Sequence, residues 1–268
     1  MCRQTLPRMI RTAKNNWPGG QGNGEKMKKN SRNLLETLLE EMQRQVSGGI
    51  YYKLQVEMTY NSNHMEGSRL SHEQTRYIFE TNTIGVAEQT VNVDDILEAV
   101  NHFRCIDQVI AGAEQPLAEA FIKELHATLK SGTSDSRKDW FSVGEYKQLP
   151  NEVGGGPTTL PENVADEMAQ LLSSYNASAK SLEDIIDFHV RFEKIHPFQD
   201  GNGRVGRLIM LKECLNNDIV PFIIADEYKS FYYRGLQEWE HERGYLLDTC
   251  LIAQDNFKQW LDYFRISY

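Results

Sequence analysis

His196–Arg207 reads HPFQDGNGRVGR. It packs a histidine, an acid, a Gly-Asn-Gly turn and two arginines into one short stretch. A general base must reach the proton it removes, and histidine is the side chain whose ordinary pKa suits that task near neutral pH. His196 is therefore the first candidate for chemistry. Asp200 offers hard oxygen of the kind Mg²⁺ accepts when phosphates supply its other ligands. Gly201 and Gly203 allow backbone amides close to an anion, and Asn202 between them carries an amide and tolerates unusual backbone angles. Arg204 and Arg207, three apart, share a helix face, and each guanidinium fork matches phosphate oxygens.

The flanks give this stretch its setting. Ile185, Ile186, Phe188, Phe192 and Ile195 recur at helical spacing before it, and Leu208, Leu211 and Leu215 after it. The motif is thus expected to be a loop between two buried helices, ending at the N-terminus of the second. Unpaired amides and the positive end of the helix dipole favour a bound anion there, such as a triphosphate. Gly201, Gly203 and Gly206 also fit the dinucleotide pattern G-x-G-x-x-G. That pattern requires a preceding strand in a βαβ unit, whereas a helix and a His-Pro pair precede it here. His189, one turn upstream, reads as a core residue.

HPFQDGNGRVGR resembles the signature of the Fic-domain family at every defined position. The resemblance implies an all-α fold, a helical domain with a small β-hairpin flap, and an enzyme that transfers AMP from ATP to a hydroxyl of a target protein. It implies that His196 is catalytic, with Asp200 as the metal ligand holding Mg²⁺. It also implies a nucleotide-binding set of Asp200, Gly201, Asn202, Gly203, Arg204, Val205, Gly206 and Arg207, in which the two arginines take the β and γ phosphates and Phe198 anchors the loop. Tyr232 and Tyr233 resemble a pair that flanks adenine, and Glu240 departs from an asparagine that some relatives carry.

Ser62-Asn63-His64-Met65-Glu66-Gly67 resembles the family's inhibitory motif, in the subclass whose inhibitory helix lies on the N-terminal side, here within 57–70. Ser62 and Glu66 would be the autoinhibitory residues, Glu66 pairing with Arg207. Gly144–Pro161 places glycines between short extended stretches and resembles the flap. Its Val153, Gly154 and Gly155 would align a target segment by strand addition. By the same resemblance the acceptor would be a Ser, Thr or Tyr hydroxyl. Self-modification and a homodimer are compatible with the resemblance. So are two alternative activities: removal of AMP from a modified target, and nucleotide binding without catalysis.

The remaining chain bounds these expectations. Its 268 residues suffice for one large domain, expected over 31–268, and no Pro/Ser linker follows Asn30. Residues 1–30, Gly-rich and basic without apolar periodicity, read as a flexible leader. No apolar run has signal-peptide or membrane-span character. A net charge of −9 argues against a nucleic-acid platform. Cys2, Cys105, Cys214 and Cys250 are widely spaced without a CxxC pair, so zinc and a disulfide framework are not suggested and a reduced, cytoplasmic setting is expected. Three further stripes read as amphipathic helices: Leu34, Leu35, Leu38, Leu39 and Met42; Val93, Ile96, Leu97 and Val100, capped from Asn92; and Leu117, Phe121, Ile122, Leu125 and Leu129.

Overall fold

Ten α-helices and one two-stranded hairpin make up the computed structural model, which describes residues 33–85, 90–177 and 179–268. The leader expected over 1–30 and Cys2 lie outside the described residues. The helices are α1 (Leu34–Arg44), α2 (Ile50–Met65), α3 (His72–Thr81), α4 (Val93–Ala111) and α5 (Glu119–Lys130), then α6 (Pro161–Asn176), α7 (Leu182–Ile195), α8 (Asn202–Asn216), α9 (Lys229–Glu238) and α10 (Gly244–Phe264). The antiparallel hairpin pairs β1 (Glu152–Val153) with β2 (Gly156–Pro157) between α5 and α6. The all-α class with a small hairpin is thus the observed fold.

Helix ends follow local chemistry. Asn33 and Asn92 cap α1 and α4 by accepting backbone N–H groups, and Ser71 and Ser181 form reciprocal capping boxes on α3 and α7. The hairpin turn needs Gly154 and Gly155, whose φ values of 59° and 80° suit a tight two-residue connection. Two apolar expectations are corrected. Val93 is 65% exposed, because as the first residue of α4 it lies beyond the packed stripe, and Leu117 is buried but precedes α5.

α8 runs through the core formed by the described residues. From Arg204 to Leu215 every residue is buried, including Arg204, Arg207, Lys212 and Glu213. α7 packs along it, and its Phe188 and Phe192 join Val205, Leu208 and Leu211 in the main core with Leu54, Ile106, Leu125 and Leu129. α2 reaches the same core without an amphipathic stripe, since Asn61, Ser62 and Asn63 are buried alongside Met58 and Met65. Among the described residues no helix is long and apolar enough to cross a membrane. Cys105, Cys214 and Cys250 are buried free thiols.

α9 and α10 meet at Gly235, where an added Cβ would lie 2.7 Å from Leu246 Cβ and 2.9 Å from its backbone nitrogen. Gly235→Ala gains helix propensity of about 1 kcal/mol, but backbone must move to admit the methyl. Overpacking of about 1–3 kcal/mol should therefore prevail and lower the urea midpoint. An unchanged or higher midpoint would show that the two helices separate easily.

Candidate active site

The turn between α7 and α8 begins with a residue in an uncommon conformation. His196 is the C-cap of α7 at φ 51°, ψ 61°, with its N–H bonded to Phe192 O. This left-handed geometry turns the chain sharply, and Phe198 drops into the core, fully buried and stacked on the His126 ring at 4.0 Å with planes 6° apart. Asn202 closes the loop, accepting from Phe198 N and donating to Phe198 O, both at 2.8 Å. Gly201, at φ 84°, then starts α8, whose first amides lack intrahelical partners.

His196 is nearly buried and its Nδ1 lies 3.3 Å from Glu193 O, which assigns the proton to Nδ1 and leaves Nε2 with a lone pair. Burial lowers its pKa to about 4, and the nearby Lys147 charge acts in the same direction. The imidazole is therefore neutral, as a base must be. Asp200 receives Lys130 Nζ at 2.7 Å and Arg204 Nη2 at 3.0 Å, both on Oδ2. Burial alone would raise this carboxyl, but Arg204 and Lys130 hold it well below the usual range. Its Oδ1 takes neither basic side chain. Among the described residues no group of three or more His, Cys, Asp or Glu could hold a metal. One carboxylate oxygen fits a cation whose other ligands are water and phosphate, the usual Mg²⁺ arrangement.

Arg207 is held by α2. Its Nη2 donates to Glu66 Oε1 at 2.7 Å and Ser62 O at 2.9 Å, and its Nε to Ser62 Oγ at 3.0 Å. Burial pushes the Glu66 carboxyl up, yet Arg207 overrides this and keeps it below its ordinary value. A Cβ on Gly203 would fall 2.2 Å from Glu66 Oε1 and 3.1 Å from Arg207 Nη1. Glycine thus lets the carboxylate rest against the first turn of α8, where an anion is electrostatically favoured.

A cavity of about 450 Å³ opens above this turn, within the range of small-ligand sites. Glu66, His196, Asp200, Gly201, Asn202, Gly203 and Arg207 line it, facing Tyr232 and Tyr233 of α9 and Val153 and Gly154 of the hairpin. The Tyr232 hydroxyl lies 2.5 Å from Nε2 of His189, a buried histidine as the sequence suggests, and Tyr233 OH donates to Met65 O at 3.4 Å.

Several expected site residues stand elsewhere. Arg204 is buried against Glu98 and Asp200 and does not line the cavity. Val205 lies in the core, and Gly206 is a close-packing point where a Cβ would meet His189 at 2.6 Å. Gly155 lies at the hairpin tip outside the lining, and Glu240 instead accepts Lys194 Nζ at 2.7 Å. The Asn202 amide is engaged with Phe198, so Asn202 meets the cavity at the start of α8 rather than with an available side chain. Other residues escaped the sequence reading. His126 Nδ1 accepts from Gly144 N and its Nε2 therefore donates to Asp200 O at 3.1 Å, while Lys130 joins Glu98, Asp135 and Asp200 in one ionic cluster.

Residues 116–214 match the Fic/DOC family. The chain is 30% identical over 185 residues to the protein adenylyltransferase Fic of Drosophila willistoni, covering 66% of this chain and 35% of that protein. It is 25% identical over 186 residues to the protein of the same name from Culex quinquefasciatus, covering 68% and 36%. The chain therefore spans only about a third of the length of these relatives. Among solved structures, a Fic domain containing signaling protein from Bacteroides thetaiotaomicron superposes with a TM-score of 0.69 at 24% identity, over 86% of this chain and 95% of that one. Fic-1 from C. elegans superposes at 0.68 and 17% identity, over 86% and 71%. At these identities the structural likeness establishes the fold.

Proposed function

Because this chain carries a Fic/DOC-family domain over residues 116–214, we propose that it is a protein adenylyltransferase, restrained by its own Glu66, that moves AMP from ATP to a Ser, Thr or Tyr hydroxyl of a target protein. The observation that carries this reading is one cavity lined by a neutral histidine, the first turn of a buried helix and a guanidinium. Relatives named protein adenylyltransferase support the same class of reaction.

In the proposed reaction His196 Nε2 removes the hydroxyl proton as the oxygen attacks the α-phosphorus. The bond to the bridging oxygen breaks, and pyrophosphate leaves. The N-terminal amides of α8 bind phosphate oxygens, and Arg207 takes the γ-phosphate once Glu66 has left it. Tyr232 and Tyr233 supply aromatic faces for the base. On this reading the outer edge of the hairpin near Val153 and Gly154, which line the cavity, would receive a target strand. Asp200 would hold Mg²⁺, which when bound supplies charge neutralisation at the phosphates. Positioning and electrostatics dominate such transfers.

The test is mass spectrometry of the Glu66→Gly protein incubated with ATP and Mg²⁺. An AMP-sized addition on a hydroxyl side chain, of the protein itself or of an added acceptor, is expected. A nucleotide bound without any transferred label would instead favour a binding module. Removal of AMP is a second reading, favoured by the Glu66 carboxylate facing the cavity that His196 lines, where it could orient a water. Release of AMP from a modified target by the wild type, lost in Glu66→Gly, would identify it.

The pH profile carries a further expectation. A base must be unprotonated, so activity falls as pH drops through its pKa. Burial places His196 at about 4 rather than 6.5. Transfer by Glu66→Gly should therefore stay level through pH 6.5 and lose its acid limb near 4. An inflection at 6.5 would mean that His196 titrates as if solvated, or that another group is the base.

A further inference from the structure

Lys147 is 4% exposed and no salt bridge reaches it among the described residues, Glu167 acting on it only through space. A buried ammonium is costly unless its donors are satisfied. Its Nζ donates to Asn151 Oδ1 at 2.7 Å, Thr158 Oγ1 at 2.6 Å and Ile195 O at 3.3 Å. The first two residues bracket the hairpin on either side of β1 and β2. The third carbonyl is the last of α7, at the negative end of its dipole and immediately before His196. The lysine's own N–H donates to Pro197 O at 2.8 Å. Burial lowers this amine to about 8, as expected for a cation held mainly by neutral oxygens.

We propose that Lys147 is a positioning residue that joins the base of the hairpin to the backbone of His196, so that a segment aligned on the hairpin and the histidine move as one body. The inference rests on the proposed transfer reaction for its purpose but not for its mechanics. Asn151 Nδ2 donates to Phe198 O at 3.1 Å and Gln199 Oε1 accepts from Leu149 N at 3.2 Å. These bonds span the same seam, yet among the described residues only the Lys147 side chain bonds to both ends of the hairpin and to α7 at once. Strand addition leaves side-chain freedom to the acceptor, so the register between hairpin and base fixes where its hydroxyl arrives. Misplacement of about 1 Å can cost about 10²-fold in rate. No polar contact of Lys147 reaches Arg207, Asp200 or the tyrosines, so nucleotide binding should not depend on it.

The experiment compares Lys147→Met and Lys147→Arg in the full chain carrying Glu66→Gly. Amide hydrogen exchange read by mass spectrometry should rise together at 151–158 and 195–198 in Lys147→Met, by about tenfold or more, with α4, α8 and α10 unchanged. Titration of the His196 ring, followed by NMR, should move upward, because a neighbouring cation has gone. ATP affinity should remain within about twofold. AMP passed to protein hydroxyls should fall relative to AMP released to water, by about 10²-fold. Lys147→Arg should restore most of each change. Faster exchange confined to the hairpin, or loss of protection throughout the protein, would overturn the proposal. So would an unchanged ratio of protein-bound to released AMP. If the Glu66→Gly parent itself passes AMP to no acceptor, the exchange and titration data still decide whether Lys147 couples the two segments, and it is the transfer reading that fails.

Discussion

His196→Ala should fold, bind ATP and lose AMP transfer by about 10²- to 10⁴-fold, the usual effect of removing a general base. The expectation follows from its tautomer. Glu193 O fixes the proton on Nδ1, so Nε2 is the acceptor, while Gly201, which starts α8, lies five residues later. Backbone geometry affects the choice of control. At φ 51° alanine is strained by roughly 1 kcal/mol, whereas asparagine visits this region more readily. His196→Asn should therefore match wild type more closely in thermal midpoint and yet be as inactive as His196→Ala. Transfer within about twofold of the parent in either variant would remove His196 from the reaction.

Glu66→Gly should change activity in the opposite direction. The carboxylate now lies against Gly203 and holds Arg207 Nη2 at 2.7 Å. A triphosphate would seek the same helix end and the same guanidinium, so both gain when Glu66 is absent. Removing about 1.4 kcal/mol of competition would give a tenfold increase in apparent ATP affinity, and transfer should rise at least as much. The thermal midpoint should drop modestly. Arg207 keeps Ser62 O and Oγ, but its charge loses its partner. ATP should then raise the midpoint more than in wild type, since it binds only the folded protein. Arg207→Ala should remain inactive alone and with Glu66→Gly. Equal or lower transfer in Glu66→Gly, measured with ATP well below saturation of the wild type, would end the autoinhibition claim.

The helical class and the loop from His196 to Arg207 were legible in the chain because their signals are local. Apolar spacing marks α7 and α8, and the turn residues between them are contiguous. What the sequence could not convey is which donors remain available once the chain folds. Asn202 carries an amide suited to phosphate, yet that amide lies within reach of its own loop and bonds Phe198. Arg204 occupies the inner face of α8, where Glu98, more than a hundred residues earlier, neutralises it. Lys130 and His126 behind Asp200, and Lys147 beneath the hairpin, belong to no local pattern, because their partners are distant in sequence. α2 is the hardest helix to recognise by periodicity, since its buried face carries asparagine and serine.

On the proposed reading, the Glu66 contact would make the protein its own competitive ligand. A free carboxylate would be displaced by modest ATP, but this one is tethered, and tethering replaces bulk concentration with an effective one, about millimolar even for short flexible links. The tether here is not flexible. α2 is anchored in the main core through Leu54 and Met58, and Tyr233 holds its last turn. Nucleotide supply would then be a weak lever. Whatever loosens α2 from its anchors, by a partner's grip or by substitution far from the cavity, would then lower the effective concentration of the carboxylate and, if the proposed transfer holds, raise its rate.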